Sequence, residues 1–130
     1  MIMKNRDIYK SALHILSQPV SEDENEDFEE RAPFLISSFC FDVLEIDSIL
    51  RKILGIEPLG EFNRVFLPLD EDFPLVNKLA PLAAKYLAAM LIIDENSELS
   101  DKLYEQYCDG ISRLRSEIPC VIESIKNKYL

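Results

Sequence analysis

The stretch KLAPLAAKYLAAMLIIDENSELSDKLYEQY, residues 78–107, is the most informative about the fold. Its first half is apolar and rich in alanine, and an acidic turn follows. Its apolar part, residues 79–93, has 15 residues and contains Pro81 and Lys85, whereas a membrane span needs about 20 apolar residues. Its larger apolar residues recur with the period of a helix, and alanines fill the remaining sides. These larger residues, with one alanine, form the predicted apolar face: Leu79, Leu82, Ala83, Tyr86, Leu87, Met90 and Ile93. The pattern predicts a helix that packs on more than one side.

The acidic break at residues 94–97, DENS, supplies turn and N-cap residues, so the stretch predicts a helical hairpin. A second periodic run follows with a narrower apolar stripe, as expected of an outer helix with one solvent-exposed face. The stripe consists of Leu99, Leu103, Tyr107, Ile111, Leu114 and Ile118. Pro119 is expected to kink or end this helix, and residues 121–130 to form a short final helical piece.

Two further helices are predicted before the hairpin. Residues 5–18 give a short helix that stops before Pro19. Its predicted inward residues are Ile8, Ala12, Ile15 and Leu16. Ser21 and Glu24 match a capping box for a longer helix that stops at Gly55. The apolar period of that longer helix comprises Phe28, Ala32, Leu35, Ile36, Phe39, Val43, Ile46, Leu50, Ile53 and Leu54.

Pro33 leaves two starting points open for the longer helix, namely a kinked helix from Glu22 or a straight one from about Arg31. Between residues 55 and 74 the helical period is lost, and only NRVFLPL, residues 63–69, has the character of a strand. One short strand cannot make a sheet within the chain. It would pair with a second copy or with a partner, or else form an extended connection packed across the helices. The predicted fold class is therefore all-α: one domain of residues 1–130, a small bundle of four to five helices with a central Ala-rich hairpin and one irregular segment.

Composition and charge narrow the function. A net charge of -10 argues against sequence-specific nucleic-acid binding and against an anionic membrane surface, because both require basic patches. The start of the chain has no signal-peptide pattern. Cys40, Cys108 and Cys120 are an odd number without a C-x-x-C pair, and they are expected to be buried thiols in a reducing cytoplasm. His14, the only histidine, is expected at the boundary or in the core, so we expect no cofactor and no zinc site.

An enzymatic alternative rests on carboxylates. The chain has no glycine-rich phosphate loop and no nucleophile motif. Carboxylates three or four residues apart on a helix can bind Mg²⁺, and the spacing loosely resembles that of all-α nucleotide pyrophosphohydrolases of the MazG type. The residues that would have to converge are Glu26, Glu29, Glu30, Asp42 and Glu45. A helical regulatory adaptor is a further alternative, since it shares the acidity and the bundle.

The arrangement as a whole resembles the small head-to-tail connector (adaptor) proteins of tailed bacteriophages and prophages. In that family a leading helix precedes a variable acidic region, and near the C-terminus a small-residue helix meets a second helix through a short acidic turn. The residues that carry the likeness are Ala12, Leu13, Leu82, Ala83, Tyr86, Leu87, Ala88, Leu91, Asn96, Tyr107 and Leu114.

The resemblance implies a non-enzymatic subunit that docks beneath the phage portal protein and contacts the next neck or tail protein. It implies self-association into a ring that passes DNA, with the protein in the bacterial cytoplasm during assembly and then in the virion. Under this hypothesis the interface is formed by the irregular segment between residues 55 and 74 and by the last residues of the given sequence. The interface residues we predict are Phe62, Arg64, Phe66, Asp70, Asp72, Lys126, Lys128 and Tyr129.

Overall fold

The computed structural model describes residues 2–18 and 25–129, with side chains as far as residue 118. It contains α1 (Asn5–Ile15), α2 (Glu26–Leu54), α3 (Ala80–Ile92) and α4 (Ser97–Tyr129), and a single 3-10 turn, Asn77–Leu79, precedes α3. Within these ranges there is no strand, only an isolated antiparallel bridge between Lys4 and Asp72. The predicted all-α bundle is confirmed.

Helix α3 lies at the centre of the bundle, where it packs against α1, α2 and α4. Its alanines are buried because a methyl group lets neighbouring helices approach closely. The buried alanines of α3 are Ala80, Ala83, Ala84, Ala88 and Ala89. A helix packed on more than one side is therefore confirmed. Leu82, Tyr86 and Met90 are only half-buried and Ile93 is exposed, so these four members of the predicted apolar face are not fully covered.

The hairpin between α3 and α4 is also confirmed. The Asn96 side-chain oxygen accepts a hydrogen bond from the backbone N–H of Leu99 at 3.1 Å, which is the geometry of an N-cap. The Ser100 hydroxyl donates to the carbonyl of Ala89 at 2.8 Å and so ties the two helices together. The predicted stripe of α4 faces the bundle, with Leu103, Tyr107, Leu114 and Ile118 buried and Leu99 and Ile111 half-buried.

Helix α4 does not end at Pro119 but continues to Tyr129, so the alternative in which Pro119 ends the helix is wrong. A proline removes one backbone donor and one hydrogen bond from a helix. The remaining hydrogen bonds on either side are enough for α4 to continue.

Helix α1 begins at Asn5 as predicted but ends at Ile15, three residues before the predicted end. Ile8, Ala12 and Leu16 are buried, together with Tyr9 and Leu13. Ile15 is exposed, so its predicted inward position is wrong. It lines an open groove between α1 and α3 that no other described helix covers.

Helix α2 begins at Glu26, between the two starting points that the sequence left open, and it contains Pro33 in its interior. Its one departure from helical backbone angles is at Val43, with φ -116° and ψ 15°, and not at Pro33. Gly55 ends it in the left-handed conformation at φ 70°, as predicted. Leu54, placed in the apolar period, is exposed, because the last turn of α2 extends beyond the neighbouring helices. The predicted capping box of residues 21 and 24 lies outside the described residues.

Residues 56–76, here called the irregular segment, form an extended connection packed across the helices, so of the two sequence alternatives the packed connection is the one found. Asp47 in α2 holds its C-terminal end by accepting a hydrogen bond from the backbone N–H of Val76 at 2.8 Å. Arg51, paired with Asp47 at 2.7 Å, donates to the carbonyls of Glu57 at 3.0 Å and Pro74 at 2.8 Å. These contacts fix both ends of the irregular segment to one turn of α2.

No helix in the described ranges combines the length and the apolar content that crossing a membrane requires.

Candidate interaction surface

The irregular segment lies antiparallel along the outer face of α2 and places two pairs of aromatic rings there. Phe66 stacks edge-to-face on Phe34, and Phe62 stacks edge-to-face on Phe41, each pair with ring centroids 5.0 Å apart. Between the pairs, the Ser37 hydroxyl donates to the carbonyl of Arg64 at 2.5 Å. We call Phe34, Phe41, Phe62, Val65 and Phe66 the aromatic surface.

The local sequence explains why these rings meet. Phe34 and Phe41 are seven residues apart, so they lie two turns apart on one face of α2, away from the buried stripe. On the irregular segment, Leu67 and Leu69 are buried and anchor it. The backbone N–H of Leu67 donates to the carbonyl of Pro33 at 3.2 Å, which aligns Phe66 with Phe34.

Most of the aromatic surface is open to solvent. Phe34 is 52% exposed, Phe41 44%, Phe66 45% and Val65 67%. Single exposed apolar residues are normal on a protein surface, but a contiguous aromatic group is typical of an interaction site. Aromatic side chains are enriched in protein–protein interfaces, where they dominate binding energies.

The predicted interface residues separate into two groups in the structure. Phe62 and Phe66 belong to the aromatic surface. Arg64, Asp70 and Asp72 instead form ion pairs inside the chain: Arg64 with Glu71 at 2.6 Å, Asp70 with Arg6 at 3.0 Å and Asp72 with Lys4 at 3.2 Å.

Exposed ion pairs contribute little stability. The pairs of Asp70 with Arg6 and of Asp72 with Lys4 join the irregular segment to the start of α1, whereas the pair of Arg64 with Glu71 lies within the irregular segment. The hydrogen bond with Glu71 raises the pKa of Arg64 above its ordinary value, so its guanidinium stays charged. The side chains of Lys126, Lys128 and Tyr129 lie outside the described part of the chain, and their predicted role remains a prediction.

Phe34 and Phe41 were missing from the residues predicted for the interface. The signal for them is present in PFLISSFCF, residues 33–41, because two phenylalanines fall outside the helix's buried period. Large aromatic residues on the polar side of an amphipathic helix indicate a second surface to be covered.

The carboxylates of the hydrolase hypothesis are not brought together within one chain. Glu29 and Asp42 lie 13 residues apart on the same helix, a separation of about 20 Å at 1.5 Å per residue. Glu29 pairs with Arg6 at 3.1 Å, and Asp42 accepts a hydrogen bond from the Tyr107 hydroxyl at 2.6 Å. The described residues contain no group of three His, Cys, Asp or Glu side chains that could hold a metal ion.

The Tyr107 ring belongs to an aromatic cluster where α2, α3 and α4 meet. It lies edge-to-face with the rings of Phe39 at 5.9 Å and Tyr86 at 5.2 Å. Burial raises the pKa of the Tyr107 phenol far above its ordinary value, and the hydrogen bond to Asp42 raises it further. A phenol held neutral in this way is a structural donor and not a nucleophile at neutral pH.

Cys40, Cys108 and His14, whose side chains the structure describes, show no catalytic arrangement. Cys40 is buried, as expected, and burial raises the pKa of its thiol to about 12, which makes it unreactive. Cys108 is exposed, so the expectation of a buried thiol is wrong there, because Cys108 lies on the solvent side of α4. The side chain of Cys120 lies outside the described range. His14 is exposed and lines the groove between α1 and α3, which makes it a boundary residue.

Comparison with known proteins gave no match to a family model, to a curated protein or to a solved structure. The fold and the surface therefore define the class of protein: a small all-α bundle that displays an exposed aromatic surface built from α2 and the irregular segment.

Proposed function

We propose that this chain is a non-enzymatic structural assembly protein that docks onto other proteins through the aromatic surface. The observation that carries the proposal is the two edge-to-face phenylalanine pairs, of which Phe34, Phe41 and Phe66 are each more than two-fifths exposed. Leaving such a group in water has a cost of about 25 cal/mol for each Å² of apolar area. A partner that covers the aromatic surface removes that cost.

The rigidity of the aromatic surface supports the same proposal. The irregular segment is held at Ser37 and at the carbonyl of Pro33, and each ring packs on another ring. Ordering a side chain on binding costs about 0.5–1.5 kcal/mol, and a surface ordered in advance avoids much of that cost. The aromatic surface is therefore suited to binding without rearrangement.

The particular function that we propose is that of a head-to-tail connector of a tailed bacteriophage or prophage. In this proposal the partners are the portal protein and the next neck or tail protein, and copies of the chain associate into a ring. The support is the resemblance of the hairpin sequence to those proteins, together with the exposed aromatic surface. The acidic net charge of -10 suits a wall past which DNA moves, because such a wall does not hold phosphates.

The genes that flank this one in its source genome test the particular function. Neighbours that encode a portal, a major capsid protein and tail components are the expected result. Each neighbour is then co-expressed with the tagged chain, and we expect the portal or neck protein to co-purify in stoichiometric amount. Flanking genes of nucleotide metabolism, with no co-purifying neighbour, would refute the connector function.

An activity assay tests the non-enzymatic part of the proposal. The purified chain is incubated with Mg²⁺ and nucleoside triphosphates, alongside the double variant Asp42→Asn/Glu45→Gln. We expect no hydrolysis above that of the variant. Mg²⁺-dependent pyrophosphate release that the double variant loses would contradict the proposal and favour the hydrolase.

A further inference from the structure

We propose that the open groove between α1 and α3 is a second docking site, and that it binds an amphipathic helix of a partner protein with acidic residues along its edges. The groove shares no residue with the aromatic surface. The inference therefore goes beyond the function proposed above and can fail or succeed independently of it.

The groove has the shape for a helix. Its volume is about 620 Å³, within the range of about 300–1,000 Å³ typical of binding sites. Along α1 it extends from Asp7 to Ile15, which is about 12 Å or a little over two helical turns. A helix that lies in a groove inserts side chains at positions i, i+4 and i+7, which span about 10 Å and fit within that length.

The floor of the groove is apolar and shallow. Met3, Ile8 and Ile15 contribute apolar side chains, and Ala80 and Ala84 of α3 contribute small ones four residues apart. Both alanines are buried, so they form the base of the groove. Ile15 in particular is a large aliphatic side chain left exposed on an otherwise amphipathic helix.

The edges of the groove carry positive charge, although the chain as a whole is strongly acidic. Lys10 and Lys85 line the groove. Among the described residues, neither of these lysines forms an ion pair with a carboxylate, whereas Lys4, Arg6, Arg31, Arg51 and Arg64 all do.

Asp7 is the one acidic residue of the lining, and it is engaged elsewhere. Its carboxylate accepts a hydrogen bond from the backbone N–H of Lys4 at 2.9 Å, as a residue in the first turn of a helix does. With two lysines and one carboxylate, the lining has a net positive charge, and the complementary partner carries Asp or Glu beside its apolar stripe.

The test uses two designed helical peptides of about 16 residues, each with leucines on one face. One peptide has glutamates beside the leucines, and the other has lysines at the same positions. Binding of each fluorescently labelled peptide to the full chain is measured by anisotropy at physiological salt. We expect the acidic peptide to bind with a dissociation constant below about 100 μM and the basic peptide to bind at least about tenfold more weakly.

Two variants locate the site. Lys10→Glu/Lys85→Glu reverses the edge charge, and we expect it to weaken the acidic peptide at least about tenfold and to strengthen the basic one. Ser11→Trp fills the groove from an exposed position without touching the core, and we expect it to abolish binding. The matched controls Lys52→Glu/Lys102→Glu and Ser112→Trp change exposed residues outside the groove and should bind like wild type.

Several results would overturn the proposal. No binding of the acidic peptide at about 1 mM, equal binding of both peptides, or equal binding by wild type and Ser11→Trp would each do so. Binding of laurate in place of the acidic peptide would show a site for lipid anions and would also overturn it. The variant Phe34→Ser/Phe66→Ser, which removes two rings of the aromatic surface, should leave peptide binding unchanged.

Discussion

Asp47 is the residue whose removal we expect to cost the fold the most. Its side chain is 1% exposed, and both oxygens are occupied, one by the Arg51 guanidinium at 2.7 Å and the other by the backbone N–H of Val76 at 2.8 Å. The perturbation is Asp47→Ala. It leaves a mostly buried cation without its counter-ion and a buried backbone donor without an acceptor.

The size of the effect follows from those contacts. Removing one partner of a buried ion pair costs about 3–5 kcal/mol, and an unpaired buried donor such as the Val76 N–H accounts for about 1–3 kcal/mol of that cost. The entropy of unfolding is about 2.1 cal/mol/K for each residue, or about 0.27 kcal/mol/K for the chain of 130 residues. The expected fall in melting temperature is therefore about 11–18 °C.

The assay is urea unfolding followed by circular dichroism, with a calorimetric melt of each protein. Asp70→Ala is the matched control, because it removes a carboxylate from an exposed ion pair with Arg6 and should cost under about 1 kcal/mol. The double variant Asp47→Ala/Arg51→Met should lose less than the sum of its single variants, since it no longer leaves a charge unpaired. A loss from Asp47→Ala no larger than that from Asp70→Ala would refute the reasoning.

Three further substitutions test the core, the end of α2 and a hydrogen bond between helices. Tyr107→Phe removes the hydrogen bond to Asp42 and should lower the free energy of unfolding by about 1.5–3 kcal/mol at pH 7. Folding raises the pKa of this phenol above its ordinary 10.0. The stability that the Tyr107 hydroxyl contributes is therefore complete below pH 10 and decreases above it. Urea unfolding between pH 8 and pH 11 should therefore show the variant and wild type converging above pH 10, by up to about 1.4 kcal/mol per pH unit, and a constant difference would contradict this. Gly55→Ala should lower the free energy of unfolding by about 1 kcal/mol because φ at Gly55 is 70°, and Gly55→Asn should lower it less. Equal stability of wild type and both variants would be inconsistent with a left-handed cap. Ala88→Leu should destabilise by at least about 1–3 kcal/mol in the same assay, since Ala88 is fully buried at the centre of the bundle, and an unchanged or higher stability would show that α3 is not closely packed there.

The hairpin was predictable because local signals agree with the global fold. The apolar period, the alanines and the cap at Asn96 all indicate the same two helices. The same holds for Gly55, whose conformation follows from its position after the last periodic residue of α2.

Features that depend on where the irregular segment crosses α2 were not predictable from the pattern. The pairing of Phe34 with Phe66 joins residues 32 positions apart, and sequence periodicity reports only on neighbours within a few turns. Asp47 can be buried on the apolar side of α2 because its carboxylate accepts hydrogen bonds from the Arg51 guanidinium and from the backbone N–H of Val76. Partners distant in sequence, such as Val76, override the local pattern.

The exposure of Ile15 likewise depends on tertiary packing and not on the local sequence pattern. Its spacing places it with the apolar residues of α1, but whether an apolar face is covered depends on the other helices. In this fold Ile8 is buried, whereas Ile15 is left exposed at the groove.

The measurement that tests the central claim most directly is the affinity of the chain for the portal or neck protein encoded beside it, compared among three forms. Phe34→Ser/Phe66→Ser removes two rings of the aromatic surface, and Tyr104→Ser, at an exposed tyrosine of α4, is the matched control. We predict that the double variant binds at least about 100-fold more weakly, since a buried aromatic contact contributes about 2 kcal/mol or more, and that Tyr104→Ser binds within about threefold of wild type. The double variant should remain folded, because Phe34 and Phe66 are about half exposed and lie outside the buried core, and its circular dichroism spectrum checks this. Wild-type affinity in a folded Phe34→Ser/Phe66→Ser would contradict the claim that the aromatic surface is the docking site.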